Sequence, residues 1–202
     1  MWIKRAFDIA FSATALLLLA PLLAVIALWV RRDSPGPVIY RQERVGRYGQ
    51  LFRIYKFRTM RVGADAAGPQ ITVGADARIT RAGQFLRRTK LDELPQFANV
   101  LCGDMSVVGP RPEVPRYVAL YPTEVAAQVL SVRPGITDLA SLAYRDESEV
   151  LARSSDPERA YVQEILPAKL QYACQYVRER SLWLDLRIIS RTAAAVFSAP
   201  AD

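Results

Sequence analysis

The chain contains no histidine. An imidazole base and the common histidine-bearing zinc sites are therefore excluded. It has only two cysteines, Cys102 and Cys174, with no CxxC pair and no metal-ligand spacing. That argues against a disulfide-stapled fold and points to a reducing compartment. Acidic residues are scarce in one stretch: residues 31–61 hold nine Arg and Lys but only Asp33 and Glu43 as acids. That segment accounts for the whole net charge of +7, so the remainder is balanced. A basic stripe suits anionic lipid headgroups, where each cation near the surface adds roughly 1 kcal/mol. It equally suits a polyphosphate substrate or a nucleic acid. No internal repeat and no linker divides the chain, and its 202 residues are enough for one domain with a core of its own.

Charge is also missing from Ile9 to Val30, 22 residues in which only Ser12 and Thr14 are polar. A straight helix of that length measures about 33 Å, enough to cross a bilayer. A cleaved signal peptide fits less well, since the apolar region is too long and lacks a clean small-residue cleavage site. Lys4 and Arg5 precede the run, and Arg31 and Arg32 follow it. Cations on both flanks ask for both ends on the cytoplasmic side. Pro21, preceded by Ala20, sits near the middle, where its ring clashes with the preceding turn and removes an N–H. A re-entrant helix that bends at Ala20–Pro21 and leaves on the face it entered satisfies both facts. A single straight span is the simpler alternative.

Beyond the run, Val38–Tyr40 and Leu51–Met60 read as short extended segments around a Gly46–Gly49 turn. Val62–Gly74 reads as a loop and Ala82–Arg88 as a short helix. Leu91, Leu94, Ala98 and Leu101 recur at helical spacing, so a second helix is expected, ended by Gly103. Met105–Val108 is extended, Arg116–Val132 helical in part, and Arg133–Pro134–Gly135 a turn. Ser155–Arg180 is expected as a long helix kinked at Pro167. Ser181–Phe197 is amphipathic, with Leu182, Leu186, Ile189, Ala193 and Val196 on one face. That face fits either a membrane interface or the domain core.

The densest chemistry lies in Arg87-Arg88-Thr89-Lys90-Leu91-Asp92-Glu93-Leu94-Pro95. Two adjacent carboxylates directly after cations suggest a site that handles phosphate with a metal ion. Thr89-x-x-Asp92 also matches a capping box, which would make Asp92 a helix cap and nothing more. A helix start favours anions, so the same geometry would keep Asp92 ionised and attract a phosphoryl group. Arg111 stands between two prolines in Gly109-Pro110-Arg111-Pro112. Fixed backbone angles leave its planar fork few conformations, which suits phosphate, although a surface turn would look the same. Arg53, Lys56, Arg58 and Arg61 interleave with Phe52, Tyr55 and Phe57. Composition does not separate a solvated strand face, a stacking surface and a substrate cradle there.

Four ordered motifs together resemble the bacterial sugar transferases, the small monotopic phosphoglycosyl transferases. They are Tyr-Lys-Phe-Arg-Thr-Met at 55–60, Lys-Leu-Asp-Glu-Leu-Pro-Gln at 90–96, Asn-Val-Leu-Cys-Gly-Asp-Met-Ser-Val-Val-Gly-Pro-Arg-Pro at 99–112 and Val-Arg-Pro-Gly-Ile-Thr at 132–137. The likeness runs in order from Phe7-Asp8 to Trp183-Leu184-Asp185-Leu186. It implies transfer of a sugar phosphate from a UDP-sugar to undecaprenyl phosphate, at the cytoplasmic face of the bacterial inner membrane, with UMP leaving. By match to the family's dyad, Asp92 would be the nucleophile and Glu93 would assist by proton transfer or metal positioning. Both would hold Mg²⁺. Arg87 and Arg111 match cations near the phosphates. Lys56, Arg58, Arg133 and Arg145 are further candidate phosphate ligands. The resemblance implies membrane lipid but no nucleic acid as a partner, and leaves a homo-oligomer open. A non-catalytic, membrane-anchored binder of anionic lipid or nucleic acid, using residues 31–61, is the competing reading.

The expected fold is α+β: a mainly helical small domain with short strands, a re-entrant membrane helix over 1–32 and amphipathic interfacial helices on a cytoplasmic catalytic domain over 33–202. Two departures from the family pattern stand out. Ala20-Pro21 replaces the frequent Ser-Pro at the membrane break. Asp138-Leu139-Ala140-Ser141-Leu142-Ala143-Tyr144-Arg145 replaces Gly-Trp-Ala-Gln-Val-Asn-Gly-Arg, with only Ala140 and Arg145 in common. If that loop touches sugar or nucleotide, the usual donor does not carry over.

Overall fold

The computed structural model describes residues 2–64, 74, 76–144 and 147–197. Helix α1 runs over Trp2–Asp33 and is followed by an antiparallel hairpin, β1 (Ile39–Val45) and β2 (Leu51–Phe57). Then come α2 (Arg81–Arg88), a tight 3-10 turn at Leu91–Glu93 and α3 (Gln96–Cys102). Strand β3 (Ser106–Val108) leads through α4 (Pro115–Val118) and α5 (Thr123–Val129) to β4 (Gly135–Thr137), which pairs with β3 in parallel. Helices α6 (Leu139–Ala143), α7 (Glu147–Ala152), α8 (Pro157–Ala160), α9 (Leu166–Glu179) and α10 (Leu182–Phe197) complete the chain. The architecture is α+β, predominantly helical with short strands, as the patterning implied.

Three apolar clusters hold these elements together. Val114, Tyr117, Val129, Leu151, Ile165 and Leu170 join α4, α5, α7 and α9. Ile54, Val100, Met105, Val108, Tyr176 and Ile188 join the hairpin, α3, β3, α9 and α10. Ile26, Val30, Phe57 and Leu86 join the far end of α1 to β2 and α2. Burial at roughly 25 cal/mol per Å² makes such clusters the main stabilising contribution.

Helix α1 is α-helical on both sides of Pro21, and it is the one described helix long and apolar enough to cross a membrane. Both of its ends are fastened to the same globular body. Near its start, Arg5 donates to the carbonyls of Val100 (2.8 Å) and Leu101 (3.3 Å) at the C-terminus of α3. Val107 N–H donates to Asp8, and Lys4 pairs with Asp8 and with Asp185 of α10. Near its end, Arg58 donates to the Val30 and Ser34 carbonyls. Between these anchors Leu17 and Leu18 are 76% and 73% exposed.

Several local expectations change. Thr89 does not open a helix. It closes α2, and its hydroxyl donates to the Phe85 carbonyl at 2.9 Å, so the capping box is not formed. Lys90 then adopts a left-handed φ of 58°, which breaks the expected Leu91–Leu101 helix into the 3-10 turn and α3. The long helix begins at Pro157 rather than Ser155 and widens into a π-turn over Tyr161–Ile165, where Leu166 N–H donates to the Tyr161 carbonyl. Pro167 has no N–H to offer the preceding turn, which accounts for widening there. Strand β4, read from sequence as part of a turn, is too short to show alternation. On α10 the buried residues are Asp185 and Ile188, while Leu186 is 45% exposed and Ala193 is also exposed. An acidic residue occupies the core-facing stripe because Lys4 and the Tyr176 hydroxyl (2.8 Å) satisfy it, so apolar periodicity gave the wrong phase.

Candidate active site

The site begins with the chain reversal after α2. The left-handed Lys90 turns the backbone, and the 3-10 turn presents Asp92 and Glu93 against the inner face of the hairpin. Lys56 of β2 reaches Glu93 Oε1 at 2.7 Å. Arg111 reaches the same oxygen at 2.8 Å. Asn99 fixes the strand that carries Lys56: its Oδ1 accepts from Tyr55 N–H (2.9 Å), and its Nδ2 donates to the Arg53 carbonyl (2.8 Å). The polar Asn99 thus locks α3 to β2 and sets the height of Lys56 beside the dyad.

Arg111 is placed by a close backbone crossing. A Cβ on Gly135 would lie 2.1 Å from Gly109 N, so neither glycine has room for a side chain. Gly109 N–H donates to the Thr137 carbonyl (3.1 Å) and Gly135 N–H to the Pro110 carbonyl (3.0 Å). Arg44 of β1 supports the loop from the other side, donating to the Pro112 carbonyl at 2.9 Å and lying 3.6 Å from Glu113. Arg111 N–H donates to Asp138 Oδ2 at 3.1 Å.

The two carboxylates occupy different electrostatic settings. Burial pushes the Asp92 carboxyl above its ordinary range, and the adjacent Glu93 charge adds to that, against opposition from Lys56 and Arg87. Burial acts on Glu93 in the same sense, but Arg111 and Lys56 outweigh it and hold Glu93 well below the usual carboxylate range. Environments that push two neighbouring acids apart in this way assign them different roles. Glu93 is the fixed anion that gathers two cations. Asp92 Oδ1 is buried and accepts no hydrogen bond among the described residues, so it is the oxygen with a lone pair to give. Arg87, in the last turn of α2, is lowered by burial and raised in turn by the Asp92 charge, so it belongs to the same site.

The sequence candidates therefore separate. Asp92, Glu93, Lys56, Arg87 and Arg111 come together. Arg58 lies elsewhere: it binds the carbonyls of Val30, Ser34 and Pro37 and closes the C-terminus of α1. Arg133 donates to the Gly103 carbonyl at 2.7 Å, at the C-terminus of α3, with Arg5 and Arg47 as neighbouring charges. Free helix C-terminal carbonyls and phosphate oxygens ask for the same guanidinium, so sequence alone does not tell the two uses apart. Arg145 falls outside the described residues. Asn99, Arg44 and Asp138 were not singled out for the site from the sequence. The only trace of Asn99 is a polar residue between the apolar positions of α3.

Among the described residues no three His, Cys, Asp or Glu side chains gather as a metal cluster. Mg²⁺ needs fewer protein ligands, typically one or two carboxylates with substrate phosphates supplying the rest. Asp92 Oδ1 is without a donor, and both cations on Glu93 fall on Oε1, so the dyad has the oxygens for such an ion.

The family model described as bacterial sugar transferase matches residues 1–199. The chain belongs to the bacterial sugar transferase family. Among its relatives is a UDP-glucose:undecaprenyl-phosphate glucose-1-phosphate transferase of Escherichia coli (strain K12), 40% identical over 193 residues, 94% of this chain and 39% of that protein. A UDP-N-acetylgalactosamine-undecaprenyl-phosphate N-acetylgalactosaminephosphotransferase of Aeromonas hydrophila is 37% identical over 199 residues, 98% of this chain and 44% of that protein. The exopolysaccharide production protein PSS of Rhizobium leguminosarum bv. phaseoli is 42% identical over 196 residues, 94% of this chain and 92% of that protein. The chain thus spans about two fifths of the length of the first two and nearly all of the third.

Proposed function

We propose that this bacterial sugar transferase moves a sugar 1-phosphate from a UDP-sugar to undecaprenyl phosphate through a covalent intermediate on Asp92. The observation that carries this reading is the contrast within the dyad: a buried carboxylate oxygen without a donor, beside a carboxylate clamped by two cations. Asp92 attacks the phosphorus that bears the sugar. The bond from that phosphorus to the bridging oxygen breaks, and UMP leaves with the electron pair. An oxygen of undecaprenyl phosphate then attacks the same phosphorus, Asp92 departs as carboxylate, and undecaprenyl-diphosphate-sugar is formed. A carboxylate nucleophile divides one hard displacement between two polyanions into two easier ones. Lys56, Arg87 and Arg111 supply positive charge where the phosphoryl oxygens gain negative charge. Glu93 holds Lys56 and Arg111 in place and offers Oε2 for a proton or a metal. Mg²⁺ held by Asp92 and Glu93 would act as Lewis acid and template for the diphosphate. The reaction would be the first membrane step in building a bacterial glycoconjugate such as an exopolysaccharide.

This reading requires the site on the cytoplasmic face of the inner membrane, where nucleotide sugars are found. Attachment of both ends of α1 to one globular body supports a helix that enters and leaves on that face, with the exposed Leu17–Leu18 region in the bilayer. Trp183 (70% exposed) and Leu186 (45% exposed) suit an α10 lying at the interface. Trp2 is 89% exposed, so it makes a clean probe. Trp2→Cys, in a background lacking Cys102 and Cys174, is expected to resist a membrane-impermeant thiol reagent in intact cells and to react once the inner membrane is opened. Labelling in intact cells would show a helix that spans.

The activity is tested by incubating membranes carrying the full chain with a panel of UDP-sugars and undecaprenyl phosphate, with and without Mg²⁺. Release of UMP with one donor, matched by a lipid-linked sugar, is the expected result. No UMP from any donor would favour a binding protein instead.

A further inference from the structure

Asp138 is a buried carboxylate, 4% exposed, that the proposed chemistry does not use. Among the described residues it has no ion-pair partner within salt-bridge distance. Its two oxygens accept from two backbone groups on different elements. Oδ1 takes Ser141 N–H at 2.6 Å and caps α6. Oδ2 takes Arg111 N–H at 3.1 Å.

Capping alone does not require a carboxylate, since Asn or Ser caps a helix as well with one oxygen. The second oxygen is what Asp adds, and it goes to the phosphate-site loop. Pro110 and Pro112 have no N–H, so Arg111 supplies the one backbone donor of Pro110-Arg111-Pro112. That donor ends on Asp138. The Arg111 guanidinium ends on Glu93. One acid therefore holds the backbone of this arginine while another holds its side chain.

We infer that Asp138 is the positioning residue for Arg111: its Oδ2 anchors the only N–H of the Pro110–Pro112 loop and so aims the guanidinium at the dyad and the donor phosphate. The inference rests on the proposed transferase reading. Asp138→Asn and Asp138→Ser keep a cap for α6 but have a single acceptor oxygen, so the Arg111 N–H loses its partner. The loss of such a charged hydrogen bond is expected to lower kcat/KM for UMP release by about 10-fold or more.

The test is a double-mutant cycle with Arg111→Lys in the full chain, reading kcat/KM and thermal unfolding together. If Asp138 acts through Arg111, Asp138→Asn lowers kcat/KM in the wild type but adds little in the Arg111→Lys background. Additive losses would overturn the positioning role, because a merely structural residue harms both backgrounds alike. Wild-type kinetics in Asp138→Asn and Asp138→Ser would overturn it too, as would failure of both variants to fold. Wild-type activity in Arg111→Lys would instead overturn the assignment of Arg111 to the site, and the positioning role with it.

Discussion

Asp92→Asn is expected to reduce UMP release by ~10³-fold or more, the scale seen when a covalent nucleophile is removed, while leaving the fold as stable as before or more so. The amide cannot attack phosphorus. It is nearly the same size and removes a charge that burial disfavours. The sign follows from linkage. The Asp92 carboxyl is raised in the folded protein, so its ionisation costs stability above the unfolded carboxylate range, and that cost vanishes when both states are protonated. Asp92→Asn should therefore exceed the wild type in melting temperature near neutrality, measured in chelator and without donor. The gap should close as the pH falls below the usual aspartate range. Loss of stability at neutral pH would mean that Asp92 is a structural acid.

Glu93→Gln should behave oppositely in stability. Gln cannot balance Lys56 at 2.7 Å and Arg111 at 2.8 Å. Breaking a buried pair from one side costs about 3–5 kcal/mol. Arg111 is 34% exposed, so roughly 3 kcal/mol or somewhat less is expected after solvent screening. Glu93 is held well below its ordinary range, so its contribution is fully present at neutral pH and fades only as the medium becomes strongly acidic. Activity should also fall, because the two cations lose the anchor that places them. Chemical denaturation and UMP release on the same preparation read both effects. A Glu93→Gln protein as stable as wild type would show that the clamp is not energetically important.

The opposite signs matter because the two acids look alike in sequence. Their adjacency, and the cations before them, were legible, and so were α1, the hairpin and the stop at Gly103. Their division of labour was not. It depends on Lys56 and Arg111, which lie 37 and 18 residues away from Glu93 and meet it only after the hairpin and the Gly109–Gly135 crossing have formed. Arg58 and Arg133 carried the same apparent signal as Lys56 and Arg111, yet they close helices α1 and α3. A cation's partner is a property of the fold, not of its neighbours in the chain. Thr89 misled for a related reason: a capping box and a closing threonine share a spelling, and the left-handed Lys90 decides between them. Asp185 hid the buried face of α10 because its compensating lysine, Lys4, lies near the start of the chain.

The central claim is that Asp92 carries the phosphosugar between donor and acceptor. The most direct measurement is the intact mass of the full chain after exposure to the active UDP-sugar without undecaprenyl phosphate, followed by peptide mapping. The account predicts one phosphosugar adduct, mapping to Asp92, formed with a matching amount of UMP and discharged when undecaprenyl phosphate is added. An adduct on Glu93, or UMP release that begins only with the acceptor and leaves no adduct, would contradict it.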